Sequence, residues 1–93
     1  MPRATWKGTL LAESSDCEWV EGNYYFPRGW VVLEHCRESE TRTVCPWKGT
    51  AHYYHVEVDG EVVEDAAWYY PDPKPAAANL QNHVAFSRLV DVE

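Results

Sequence analysis

Residues 51–68, AHYYHVEVDGEVVEDAAW, decide the fold. Two β-rich runs flank Asp59-Gly60, the pair that a two-residue type I′ turn prefers because both central positions need positive φ. The segment therefore reads as a hairpin. With a two-residue loop, Val58 faces Glu61, Val56 faces Val63, Tyr54 faces Asp65 and His52 faces Ala67 on one side of the ribbon. The other side pairs Glu57 with Val62, His55 with Glu64 and Tyr53 with Ala66. This register sets the carboxylate of Asp65 on an otherwise apolar face, where it needs a donor such as Tyr54, the Trp68 indole or a backbone amide.

Outward from this hairpin the chain reads mainly as strand. Thr5 to Ala12 predicts a first strand, and Cys17 to Val20 with Tyr24 to Phe26 predicts a hairpin around Gly22-Asn23. Trp30 to Cys36, WVVLEHC, reads as a central strand because it is apolar and β-branched. Glu38 to Thr43, ESETRT, is polar throughout and reads as a long loop unless Thr41 to Val44 pairs at an edge. One helix is expected, starting near Asp72-Pro73-Lys74-Pro75 and running to Asn82. Val84 to Val92 returns to alternation as a last strand. The fold class is mainly β: a compact antiparallel sheet or small barrel-like domain with one short C-terminal helix, residues 1–93 forming a single domain.

Composition narrows the partners. Fifteen acidic against eight basic residues give a net charge of −7, and the basic residues are scattered, so neither nucleic acid nor an anionic membrane finds an electrostatic footprint. No apolar stretch reaches membrane-spanning length, and Met1 to Trp6 lacks the apolar core of a signal peptide, which favours the cytoplasm. Cys17, Cys36 and Cys45 are odd in number and far apart, as free thiols in a reducing compartment would be. His52 and His55 lie three apart on a strand and point to opposite faces, so a metal site with Cys45 is not indicated. The tetrapeptide Trp-Lys-Gly-Thr occurs at 6–9 and again at 47–50 without other signs of duplication.

Three stretches go beyond generic β character. They are Tyr24-Tyr25-Phe26-Pro27, Cys45-Pro46-Trp47-Lys48-Gly49, and Asp65-Ala66-Ala67-Trp68-Tyr69-Tyr70-Pro71-Asp72-Pro73 followed by His83-Val84-Ala85-Phe86. In this order and spacing the chain resembles the bacterial family known as domain of unknown function 427. The resemblance implies a compact, largely antiparallel β domain with a short helix, and it brings no activity with it. A nucleotidyltransferase label sometimes attached to the family finds no support here. Two-metal nucleotidyl transfer needs closely spaced carboxylates and a phosphate-binding site; there is no Asp-x-Asp, and no Gly-rich phosphate loop. The residues imply no cofactor.

Four residues are candidates for chemistry. Asp65 is either a structural acceptor near the turn at Pro71 or a general acid/base whose pKa burial has raised. Cys45 is either a small core thiol or a nucleophile activated by Lys48 or His52, with Pro46 and Gly49 shaping the turn. Lys48 itself is either that activating cation or a solvated charge. His83, at the expected helix end, is either a capping residue or a functional imidazole. The aromatics Tyr25, Phe26, Trp47, Tyr54, Trp68 and Tyr70 are expected to line a small-molecule pocket into which Asp65, Lys48 and Cys45 project together. The alternative is an interaction module or homodimer using exposed aromatics on an open sheet face. The residues leave open whether the protein is an enzyme.

Overall fold

The computed structural model describes residues 1–93. Nine strands, β1 (Arg3–Trp6), β2 (Thr9–Glu13), β3 (Glu18–Val20), β4 (Asn23–Pro27), β5 (Cys36–Cys45), β6 (Gly49–Val58), β7 (Glu61–Tyr69), β8 (His83–Phe86) and β9 (Asp91–Val92), form two sheets. The smaller has the order β2-β1-β9 and the larger β3-β4-β8-β7-β6-β5, with every pairing antiparallel. The fold is mainly β, as expected.

Three tight turns set the local geometry. Lys7-Gly8, Glu21-Gly22 and Asp59-Gly60 all have both residues at positive φ, the requirement of a two-residue type I′ hairpin. The Asp59-Gly60 hairpin forms with Val58 opposite Glu61. The β3–β4 hairpin also forms, its turn one residue earlier than read. Residues 5–12 are not one strand. Lys7-Gly8 folds them back, so that Trp6 faces Thr9.

The larger differences have a common cause in exposure. The expected central strand over residues 30–36 does not form: two 3₁₀ turns, Arg28–Trp30 and Leu33–His35, flank a single bridge from Val31 to Ala12, and Cys36 opens β5. Of this run only Val31 is buried, whereas Trp30 and Leu33 are exposed. The segment seals the open edge of β2, with the Val32 amide donating to the Leu11 carbonyl. The polar run ESETRT, expected as a loop, lies within β5. A strand with one neighbour, at the end of a sheet, has no need of apolar residues on both faces. The expected helix is shorter and tighter than read, a 3₁₀ segment over Pro75–Leu80 broken by non-helical dihedrals at Ala77.

The register expected beyond Val63 does not occur. Val56 faces Val63, but Tyr54 faces Ala67 and His52 faces Tyr69, so residues 64–66 together oppose His55. Asp65 has φ +51 in this bulge. The extra residues let both Ala66 and Ala67 bury fully, while the carboxylate leaves the apolar face, where it would have cost several kcal/mol unpaired. A second bulge lies directly across β6, where residues 39–41 of β5 intervene between the pairs Glu38–Tyr54 and Arg42–His52.

Two apolar clusters result. The larger draws Ala4, Leu11 and Ala12 from the small sheet and Phe26, Val56, Val84 and Phe86 from the large one. The smaller joins Tyr25, Ala51, Tyr70, Ala77, Leu80 and Ala85. Neighbours in sequence, Tyr25 and Phe26 on β4, Ala85 and Phe86 on β8, go to different clusters because strand side chains alternate.

Candidate functional site

The site is built around the turn Pro46-Trp47-Lys48, which joins β5 to β6 beyond the pair Cys45–Gly49. Gly49 has φ +117, and a Cβ there would come within 3.3 Å of the Asp72 carbonyl oxygen. The strap after β7 therefore presses against the turn. The Lys74 amide donates to the Lys48 carbonyl at 2.9 Å, and the Lys74 ammonium donates to the Pro46 carbonyl at 2.5 Å. These contacts fix the main chain of Lys48 and drive its side chain inward.

Lys48 is only 7 % exposed, and it is the one basic residue among the buried ones. Its Nζ lies 5.3 Å from the Trp47 ring centre and 5.6 Å from that of Tyr70, so aromatic π-faces flank the ammonium. Its ionic partner is Glu21, at the tip of the β3–β4 hairpin. Burial pulls the Lys48 pKa down, but the Glu21 hydrogen bond and the neighbouring Tyr25, Tyr70 and Cys45 outweigh it and the net shift is upward. Glu21 is correspondingly held below the usual carboxylate range by Lys48 first and by the Trp47 indole as well. Burial pushes the Tyr70 phenol up to about 12 against the opposing pull of Lys48. At neutral pH the centre is an ammonium beside the neutral Tyr70 phenol. It donates charge and hydrogen bonds and is not a free amine nucleophile.

The aromatic wall is interlocked. The Trp68 indole N–H donates to the Tyr25 hydroxyl at 3.1 Å, their rings meet edge to face at 6.4 Å, and Tyr53 lies 6.4 Å from Trp68 on the other side. Tyr25 and Tyr70 are buried, whereas Cys45, Tyr53 and Trp68 are half-buried and Trp47 is exposed.

Other residues singled out from the sequence lie elsewhere. Phe26 is fully buried in the larger cluster against Phe86. Tyr54 stacks on Tyr69 at 4.7 Å, with the Arg28 guanidinium 5.8 Å from both ring centres. His83 opens β8, its Nδ1 2.7 Å from the Gln81 carbonyl oxygen. His52 packs against Tyr69, and the Nδ1 of His55 accepts the Asp65 amide at 3.0 Å, so neither turns to Cys45.

Asp65 does not join Lys48. Its carboxylate accepts the hydroxyls of Ser39 at 2.5 Å and Thr41 at 2.7 Å, and it shares no hydrogen-bond partner with the lysine. The expected pocket with three polar groups is not formed, and neither Tyr54 nor the Trp68 indole is the donor to Asp65. Burial has not raised the carboxyl either: the Ser39 and Thr41 hydroxyls hold it below its ordinary value. Glu21, Ser39 and Thr41 went unnoticed in the sequence. For Glu21 a signal existed, since Glu21-Gly22 can make a type I′ turn that lifts the carboxylate to a hairpin tip.

Surface clefts lie away from Lys48. The most spacious, about 420 Å³, runs between the β3–β4 hairpin and the C-terminal turn, past Trp19, Tyr24 and Arg88. No helix is long and apolar enough to cross a membrane.

Two packed antiparallel sheets, with a buried lysine flanked by aromatic side chains, define a small β domain. The family model described as Domain of unknown function (DUF427) matches residues 2–93, and the chain belongs to that family. No curated protein matches it. The stretches that carry the family resemblance meet at this cluster: Tyr25 from the first, Cys45, Trp47 and Lys48 from the second, Trp68 and Tyr70 from the third, and Ala85 from the segment after it.

Proposed function

We propose that the protein binds a small molecule at the Lys48 cluster. The observation that carries this reading is the convergence of Tyr25, Cys45, Trp68, Tyr70 and Ala85, remote in sequence, in one cluster beside a buried ammonium flanked by Trp47 and Tyr70. A hydrophobic cluster serving stability alone has no use for a buried lysine, since desolvating the charge opposes folding. Placed between aromatic rings, the same charge orients a polar group while the rings hold a flat apolar body. Trp47, Trp68, Tyr53 and Cys45 form the accessible rim; Tyr25 and Tyr70 support it from below.

The test uses the five tryptophans. Their indole N–H signals, assigned by single Trp→Phe variants, are followed by NMR while fragments with planar aromatic bodies are added. The reading expects fragments that shift Trp47 and Trp68 together, and expects Lys48→Met to abolish those shifts while the Trp6 and Trp30 signals keep their folded positions. Fragments that move only Trp19, beside the 420 Å³ cleft, would transfer the function to that cleft.

A further inference from the structure

Glu21 and Lys48 form an unequal pair. The lysine side chain is 9 % exposed and the glutamate side chain 53 %, so the cation is built into the fold and the anion reaches it from solvent. A second donor faces the same carboxylate, the Trp47 indole N–H at 3.4 Å from the other oxygen. Lys48 and Trp47 thus form a two-point cradle for an oxyanion. Their turn is held by the strap residue Lys74, whereas Glu21 sits on a two-residue turn at φ +51, where a residue without a special preference for positive φ is uncommon. Its side chain can swing away without breaking any strand pairing.

We propose that Glu21 occupies the position of the ligand's own acidic group, and that the molecule bound at the Lys48 cluster carries an oxyanion, carboxylate or phosphoryl, on a flat aromatic body. This rests on the binding site proposed above and names its ligand class. With Glu21 in place the cradle is filled, which accounts for the absence of an open cleft beside Lys48. An incoming anion takes over both donors, and its aromatic body lies along Trp47 and the half-buried Trp68. Because Glu21 is largely solvated, its own hold on the cradle is that of an exposed ion pair, and displacing it weakens an external anion only about two- to fivefold.

Three probes, benzoate, phenyl phosphate and uncharged benzamide, are titrated against the wild type, Glu21→Gln and Lys48→Gln, with the Trp47 and Trp68 indole signals as readout. One or both anions should bind the wild type, bind Glu21→Gln about two- to fivefold tighter, and lose at least tenfold in Lys48→Gln; benzamide should bind at least tenfold more weakly than the better anion. Preference between benzoate and phenyl phosphate tells carboxylate from phosphoryl. Equal binding of benzamide and the anions at these indoles, unaffected by Glu21→Gln, would overturn the oxyanion proposal and leave the binding site standing. Failure of all three probes to move Trp47 or Trp68 in Glu21→Gln, which keeps the lysine and empties the cradle of its acid, would remove both.

Discussion

The carboxylate of Asp65, in the bulge of β7, accepts the hydroxyl of Ser39, in the bulge of β5, at 2.5 Å across the width of β6. Thr41 adds a second hydroxyl at 2.7 Å, and His55, on the strand between them, accepts the Asp65 amide. The two bulges brace each other. Asp65→Asn keeps one acceptor and loses the charge, and with the side chain about a third exposed the loss should be about 1 kcal/mol, or roughly 4–8 °C in midpoint. The folded carboxyl lies below its ordinary value. Its contribution is therefore complete above the unfolded pKa of about 3.9 and disappears as pH falls through the folded one. Calorimetry at pH 7 and in strong acid should show the gap between wild type and variant closing; a gap that persists once the Asp65 carboxyl of the wild type is protonated contradicts this.

Tyr54 is 3 % exposed, and its hydroxyl is the one buried side-chain polar atom without a hydrogen-bond partner. Leaving such a group unpaired costs on the order of 1–3 kcal/mol. Tyr54→Phe should therefore raise the unfolding midpoint or leave it unchanged. A drop of several degrees would mean that the hydroxyl has a partner.

Gly49 and Gly60 make a matched comparison. Gly60, at φ +79, has open space where a Cβ would go, while Gly49, at φ +117, has the Asp72 carbonyl at 3.3 Å. Gly60→Ala should cost about 1 kcal/mol from backbone conformation alone. Gly49→Ala should cost more, about 2–3 kcal/mol, because the strap must also move. Chemical denaturation of both variants checks the order, and equal losses would deny the strap its role.

The three thiols should separate on alkylation. Burial pushes Cys36 up to about 11, with Arg28 pulling only partly against it, and burial and Asp16 raise Cys17. Cys45 stands beside the Lys48 ammonium. Peptide mapping after brief treatment of the native protein should find Cys45 labelled first and Cys36 last. Protection of Cys45 until denaturation would place it in the core.

The hairpin at Asp59-Gly60 was legible because turn chemistry and alternation agree there. The register beyond Val63 was not, because a bulge leaves no periodic mark: the sequence Glu64-Asp65-Ala66-Ala67 satisfies plain alternation as well as the observed insertion. Polarity misled in the same way at 30–43. Apolar Trp30 to Cys36 looks like an interior strand and polar Glu38 to Thr43 like a loop, yet a sheet edge reverses both expectations. Of the candidate site, Tyr25, Cys45, Trp47, Lys48, Trp68 and Tyr70 were legible as a set. What could not be read was that Phe26 and Tyr54 fall on the opposite face, that Asp65 is claimed by Ser39 and Thr41, and that Lys48 finds its anion 27 residues upstream at Glu21.

A crystal structure of Glu21→Gln soaked with benzoate or phenyl phosphate tests the central claim most directly. The account predicts an oxyanion within hydrogen-bond distance of both Lys48 Nζ and Trp47 Nε1, and an aromatic ring against Trp47 or Trp68. Density for the probe only in the cleft past Trp19 and Arg88, with the Lys48 cradle still closed by residue 21, would contradict it.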